Sequence, residues 1–244
     1  MLEAAARTKN GAFSSAKAFA AAARAIAAGL CDAAVVGGVE SLCLTTLHGF
    51  ASLELLSTQP CRPCDEARDG ISIGEAAAYV LLESARDGGD GLALLGYGES
   101  SDAHHMSTPH PQGLGAVRAM RAALEMSGVT PQEVDYLNLH GTGTRNNDAA
   151  EDAAVGAVFG DRIACSATKG GTGHTLGAAG AVEAVITLLA LRHGFLPGTA
   201  NTRRADPQFA LRLQLRSETR SLARAMSNSF GFGGSNCSLL FGRT

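Results

Sequence analysis

Apolar and polar positions along this chain follow two periods, and the switches between them mark its elements. From Ser14, the alanine-rich stretch SSAKAFAAAARAIAAG opens on a serine pair and stops at Gly29, which predicts a buried helix. The short apolar run from Ala33 to Gly38, closed by glycines, predicts a strand covered on both faces. Ala77 to Leu82 predicts a second buried strand and Leu92 to Gly98 a third; Gly88-Gly89-Asp90-Gly91 would be the turn making those two antiparallel neighbours. Between them, Thr58 to Gly74 is rich in Pro, Arg, Asp and Gly and has no sustained period, which predicts a surface loop.

The same grammar continues downstream. Gly113 to Ser127 carries Leu114, Val117, Met120 and Leu124 at helical spacing and ends at Gly128. Thr130-Pro131-Gln132-Glu133 predicts a capped helical turn, after which Val134 to Leu139 alternates as a strand that delivers His140 at its end. A helix at 148–158, a strand at 162–168 and a helix at 176–192 follow, then strands at 222–229 and 237–241 around a glycine-rich turn. Helix and buried strand in alternation predict an α/β fold, with no internal repeat, low-complexity tract or linker.

Composition narrows the function classes. The 244 residues are 45% hydrophobic and 18% charged, with a formal net charge of -3 and scattered Lys and Arg, so neither nucleic acid nor an anionic membrane is an expected partner. No apolar run approaches the roughly 20 residues that span a bilayer, and the N-terminus has no charged segment before an apolar signal core, so the expected location is cytoplasmic. The six cysteines form no disulfide scaffold; Cys61 and Cys64 make a C-x-x-C, but no second such pair or neighbouring His pair completes a metal or redox site.

Three tight motifs stand at the C-terminal ends of predicted strands, where α/β sheets assemble sites: HGTGT (His140 to Thr144), TKGGTGHTLGAAG (Thr168 to Gly180) and NSFGFGGSN (Asn228 to Asn236). Their glycines permit sharp turns and close approach to a ligand, leaving two histidines and a lysine to converge. Singly each has a plainer explanation: His140 as a core histidine, Phe230 and Phe232 as core aromatics, Lys169-Gly170-Gly171 as half of a phosphate loop whose G-x-x-x-x-G-K-[ST] order is absent.

With SSAKAFA, VVGGVES, RPCDEARDGISIGEAA and SSDAHHMSTP, in order and at similar spacing, these motifs resemble the β-ketoacyl-acyl-carrier-protein synthases of the thiolase-like superfamily. SSAKAFA with VVGGVESLCL is closer to the elongating, carrier-protein-dependent members. The resemblance runs from about Ser14 to Phe241 and implies a layered α/β/α/β/α architecture built from two similar halves. Residues 1–84 would be the remainder of the N-terminal half and residues 85–244 the C-terminal half. It also implies a homodimer or a synthase heterodimer, an acyl carrier protein as partner, and no cofactor beyond the 4'-phosphopantetheine arm that carries the substrate. Carried over by residue, His140 and His174 are similar to the pair that hydrogen-bonds a malonyl thioester carbonyl. Lys169 is similar to the lysine organising charge around them, with Glu183 its carboxylate partner and Asp148 and Glu151 further supports. Thr142 and Thr144 resemble the threonines on the pantetheine arm, and Phe232 the gating phenylalanine whose N–H completes the oxyanion hole. Arg62, Arg68, Arg203 and Arg204 are candidates for meeting an acidic carrier protein.

One position departs from the family. Its nucleophilic cysteine lies just before the helix opening SSAKAF, where the helix dipole favours the thiolate; here that slot is Ala12, which cannot hold an acyl group. Three expectations compete: part of an ordinary synthase that begins further upstream, a malonyl decarboxylase that does not condense, and a non-catalytic partner resembling a chain-length factor. Such partners usually lose the histidines, so His140 and His174 weigh against the last. A thiolase would need a second cysteine in the C-terminal turn, where this chain reads SFGFGGSN with Cys237 beyond it.

Overall fold

Helix α1 (Ser14–Ala27) ends as its glycine allows: Gly29 takes φ 69°, and the N–H groups of Gly29 and Leu30 reach back to the carbonyls of Ile26 and Ala25. The computed structural model to which it belongs describes residues 14–85 and 91–243; Ala12 and the Gly88-Gly89-Asp90 part of the expected turn lie outside them. After α1 come β1 (Ala33–Glu40), α2 (Leu44–Ser52) and β2 (Ala76–Glu83), the two strands pairing antiparallel throughout. Next are β3 (Leu92–Ser101), α3 (Leu114–Ser127), β4 (Tyr136–Asn138), α4 (Arg145–Phe159), β5 (Ala164–Ser166) and the single turn α5 (Lys169–Thr172). The chain closes with α6 (Ala179–His193), the short β6 (Phe195–Leu196), β7 (Arg212–Leu213) and β8 (Glu218–Thr219), and the long β9 (Arg224–Gly231) and β10 (Ser235–Arg243).

Six strands form one mixed sheet in the order β3-β10-β9-β4-β5-β7, parallel from β9 to β7 and antiparallel at β10 and β3. Its faces are both buried, and alternation divides the core accordingly. Tyr136, Leu239 and Phe241 face α1 and α6, where Phe19 meets Phe241 edge to face at 6.2 Å; Leu137 and Leu240 face α3 and α4. The β1–β2 pair lies on the other side of α1 and α6. Among the described residues the order is therefore β, α, β, α, four layers of a thiolase-like stack.

Two expectations need correction. β1 and β2 are not covered on both faces: Val35 is 74% and Leu81 62% exposed, because no described element packs on that side. β2 and β3 are not neighbours; β2 pairs with β1 and β3 with β10, in sheets separated by the α1–α6 layer. Helix α2 is an addition to the predicted elements: its Leu44, Leu47 and Ala51 recur at helical spacing, but none of its residues is buried. By contrast, the capped turn at Thr130 is present, with Glu133 Oε2 accepting from Thr130 N–H at 2.9 Å and from its hydroxyl at 2.8 Å.

Helix α3 reaches β3 through glycine. A Cβ on Gly98 would stand 1.9 Å from the Ala119 carbonyl oxygen, whereas one on Gly156 in α4 would meet nothing within 4 Å. Gly98→Ala is expected to destabilise the fold by about 3 kcal/mol, while Gly156→Ala stabilises it by up to about 1 kcal/mol, as urea denaturation will measure.

Candidate active site

The parallel strands end on one side of the sheet, and the site grows from their tips. His140 stands two residues beyond β4, and Lys169 opens α5 just after β5. His174 follows Gly173, where φ is 69° and a Cβ would press within 2.9 Å of Gly74. That close approach lets the 58–74 loop seize the histidine backbone: His174 N–H donates to Ser72 O at 2.7 Å and Gly74 N–H to His174 O at 3.0 Å. Cys61, with its thiol pushed up to about 11 by burial, gives its S–H to Thr142 O at 3.2 Å, and Gly70 N–H binds Gly143 O at 3.1 Å. The expected surface loop is thus partly an inner wall, and Cys61 and Cys64 are buried free thiols within it.

The two imidazole rings meet edge to face with centroids 5.5 Å apart. Each has its Nδ1 occupied. Lys169 Nζ, which has only hydrogens to give, donates to His140 Nδ1 at 3.1 Å, and Leu176 N–H donates to His174 Nδ1 at 3.3 Å. Both rings are thereby held in the tautomer that carries its proton on Nε2, the nitrogen left for the cavity. Burial first, and the Lys169 charge second, hold both histidines well below the usual 6.5, so they are neutral near pH 7.

Lys169 itself is only 1% exposed and does not line the cavity. Its three N–H groups meet three acceptors: His140 Nδ1, the His140 carbonyl and Glu183 Oε1. Burial pushes the Glu183 carboxyl up to about 7 against the opposing pull of Lys169. Two carboxylates of α4 hold the HGTGT backbone from beneath. Glu151 accepts from His140 N–H and Gly141 N–H, both at 2.8 Å, and from Asn228 Nδ2 at 3.2 Å. Asp148 accepts from Thr142 N–H at 3.1 Å, Gly143 N–H at 3.2 Å and Cys64 N–H at 2.8 Å. Their spacing, one helical turn apart, puts both on one face.

A cavity of about 1350 Å³ opens over this floor, lined by His140, His174, Thr142, Thr144, Phe230 and Phe232 among others. The hydroxyls of Thr142 and Thr144 lie 2.9 Å apart, and Phe232, 44% exposed, packs against Phe50 of α2 at 5.9 Å between ring centres. Asn228, which opens the third motif between Ser227 and Ser229, and Phe50 received no role from the sequence; nothing in α2 singled out Phe50. Arg68 needs correction: it is buried, bonded to Asp206 at 2.6 Å and stacked on Phe209 at 4.6 Å, so it cannot meet an external partner.

Two family models match the chain: β-ketoacyl synthase, N-terminal domain, over residues 4–88, and β-ketoacyl synthase, C-terminal domain, over residues 93–203. The chain belongs to the β-ketoacyl synthase family. It is 45% identical over 238 residues to a mitochondrial 3-oxoacyl-(acyl-carrier-protein) synthase of Arabidopsis thaliana, covering 89% of this chain and 52% of that one. Among solved structures it is similar to a ketosynthase in complex with its chain length factor from Xenorhabdus doucetiae, with TM-score 0.92 and 46% identity over 96% of this chain and 59% of that one. A β-ketoacyl synthase from Burkholderia phymatum STM815 superposes with TM-score 0.92 at 34% identity, over 97% of this chain and 61% of that one. The chain thus spans little more than half the length of these relatives.

Two measurements probe the geometry. Glu151→Gln keeps one acceptor oxygen but turns an NH2 toward an N–H donor, and is expected to cost about 2–4 kcal/mol in denaturant unfolding. An unfolded histidine titrates near 6.5 while native His174 stays neutral to lower pH, so below 6.5 the unfolded chain takes up the extra proton and the native state is disfavoured. His174→Gln removes that penalty: relative to the parent, its stability should improve by about 1.4 kcal/mol on going from pH 7.5 to 5.5.

Proposed function

We propose that the described residues form the malonyl half of an elongating β-ketoacyl-acyl-carrier-protein synthase site, where decarboxylation of malonyl-carrier protein drives condensation with an acyl thioester. The observation that supports this reading is the pair of neutral, buried imidazoles whose Nδ1 atoms are both occupied, leaving two Nε2–H donors for the cavity. In the reaction, the bond between the malonyl methylene carbon and its carboxylate breaks, carbon dioxide leaves, and the electron pair spreads onto the thioester oxygen as an enolate. Two fixed N–H donors stabilise that oxyanion by a few kcal/mol each, because they need no reorientation as the charge develops. The methylene carbon then attacks the acyl thioester and expels its thiolate, or takes a proton to give an acetyl thioester.

His140 and His174 are the catalytic residues in this reading. Lys169, behind His140 and paired with Glu183, is a positioning residue, and Asp148 and Glu151 support the loop. Thr142 and Thr144 offer hydroxyls to the 4'-phosphopantetheine arm, the substrate's own carrier, and Phe232 bounds the acyl side of the cavity. The partners are an acyl carrier protein and a second synthase subunit, identical or related; Arg62, Arg203 and Arg204 remain candidates for the carrier. The expected compartment is the cytoplasm.

Ala12 favours a second reading for the chain as it stands, decarboxylation without condensation, since an alanine side chain accepts no acyl group. The test is to incubate the chain with malonyl-carrier protein and follow carbon dioxide and acetyl-carrier protein. Turnover is expected, falling by roughly 10²–10³-fold in His140→Ala and in His174→Ala. Ala12→Cys is expected to gain an acyl adduct detectable by intact mass and, with it, condensation. Turnover unaffected by either histidine would overturn the assignment, and an acylated Ala12→Cys that does not condense would favour decarboxylation alone.

A further inference from the structure

His174 depends on a turn closed by one local bond, Ala178 N–H to Thr175 O at 2.9 Å, and held from outside by residues far upstream. Its Nδ1 is fixed by Leu176 N–H, and Leu176 sits at φ 41°, a left-handed conformation that costs a side chain with a Cβ about 1–2 kcal/mol. The next N–H, that of Gly177, donates to Glu40 Oε2 at 3.0 Å; Glu40 is the last residue of β1, 137 positions upstream. Four residues on, Ala181 N–H donates to Ser15 Oγ at 2.9 Å, from the first turn of α1.

Neither the 3-10 turn Leu176–Ala178 nor the start of α6 that follows it has a side-chain cap of its own; Glu40 satisfies an N–H of the first and Ser15 an N–H that the second leaves open. Glycine makes the approach possible. A Cβ on Gly38 would lie 2.9 Å from Ala178 Cα, and one on Gly180 would lie 2.6 Å from Ala16 N. A negative carboxylate is favoured there, at the positive end of a fifteen-residue helix. Glu40 and Gly177 also line the cavity that His174 faces.

We propose that Glu40 is a positioning residue for His174: by anchoring Gly177 N–H it keeps Leu176 in its left-handed conformation, and so keeps the Leu176 N–H on His174 Nδ1 and the ring proton on Nε2. The proposal rests on the reading of His174 as an oxyanion donor, but its primary test reads the ring, not the reaction. In long-range ¹H–¹⁵N spectra of the full chain, the parent and Glu40→Gln, whose amide oxygen still accepts from Gly177, are expected to show His174 as the single Nε2–H tautomer. Glu40→Leu, which accepts nothing, is expected to show a mixture, with the His140 signals unchanged.

In malonyl-carrier-protein turnover, Glu40→Leu should lower kcat by roughly 10–100-fold at nearly constant KM, since displacement of a positioned group by about 1 Å costs rate, not affinity. Adding Leu176→Gly, which removes the conformational cost at that position, should recover part of the loss. A single native tautomer of His174 in folded Glu40→Leu would overturn the proposal, whatever the activity assay gives. If Glu40→Leu does not fold, Glu40→Asp, one methylene too short to reach, carries the same test, and a native His174 tautomer there counts against the proposal equally.

Discussion

A buried ammonium organises this molecule's site. Lys169, 1% exposed, has three N–H groups and three acceptors, two of them on His140 and one on Glu183. An unpaired charge at that depth would cost several kcal/mol, so the lysine is stable there only if the loop after β4, the turn after β5 and the helix α6 all arrive together. The tip of one strand and the body of a helix are thereby tied to one nitrogen. What reaches the cavity is not the charge but its consequence, a neutral imidazole of fixed orientation.

The same economy of charge recurs below the HGTGT loop. Glu151 and Asp148 spend their lone pairs on backbone N–H groups of a segment too irregular to satisfy itself. Burial pushes Glu151 up to about 7, while its N–H donors act in the opposite direction. Asn228, with Ser238 donating to its Oδ1 at 2.8 Å, closes that network from β9. Irregular backbone is thus made rigid by side chains from regular elements, which is what a preorganised donor pair requires.

The elements before β3 take part in this construction at several points. The 58–74 loop pairs with the His174 backbone, Cys64 N–H binds Asp148, Ser15 accepts from Ala181 N–H in the first turn of α6, and Glu40 accepts from Gly177 N–H in the turn before it. The site is therefore shared between the two family-model regions and is not the property of one.

The elements legible in the sequence were those whose signals are local. Glycine stops and the Thr130–Glu133 box located helix ends, because capping involves neighbours in the chain. Alternation from Val134 to Leu139 located β4, because successive side chains of a strand point to opposite faces. The three glycine-rich motifs located His140, Lys169 and His174, because the ends of parallel strands are where an α/β sheet assembles a site. Tertiary structure decided the rest, since it depends on contacts between residues far apart in the chain: which strands pair, that one face of β1 and β2 stays uncovered among the described residues, and that Arg68 is buried in an ion pair. It also decided the tautomers of His140 and His174, because a ring nitrogen's proton is set by whichever donor packs against the other nitrogen. For His174 that donor is only two residues away, yet a glutamate 137 positions upstream anchors the turn that carries it.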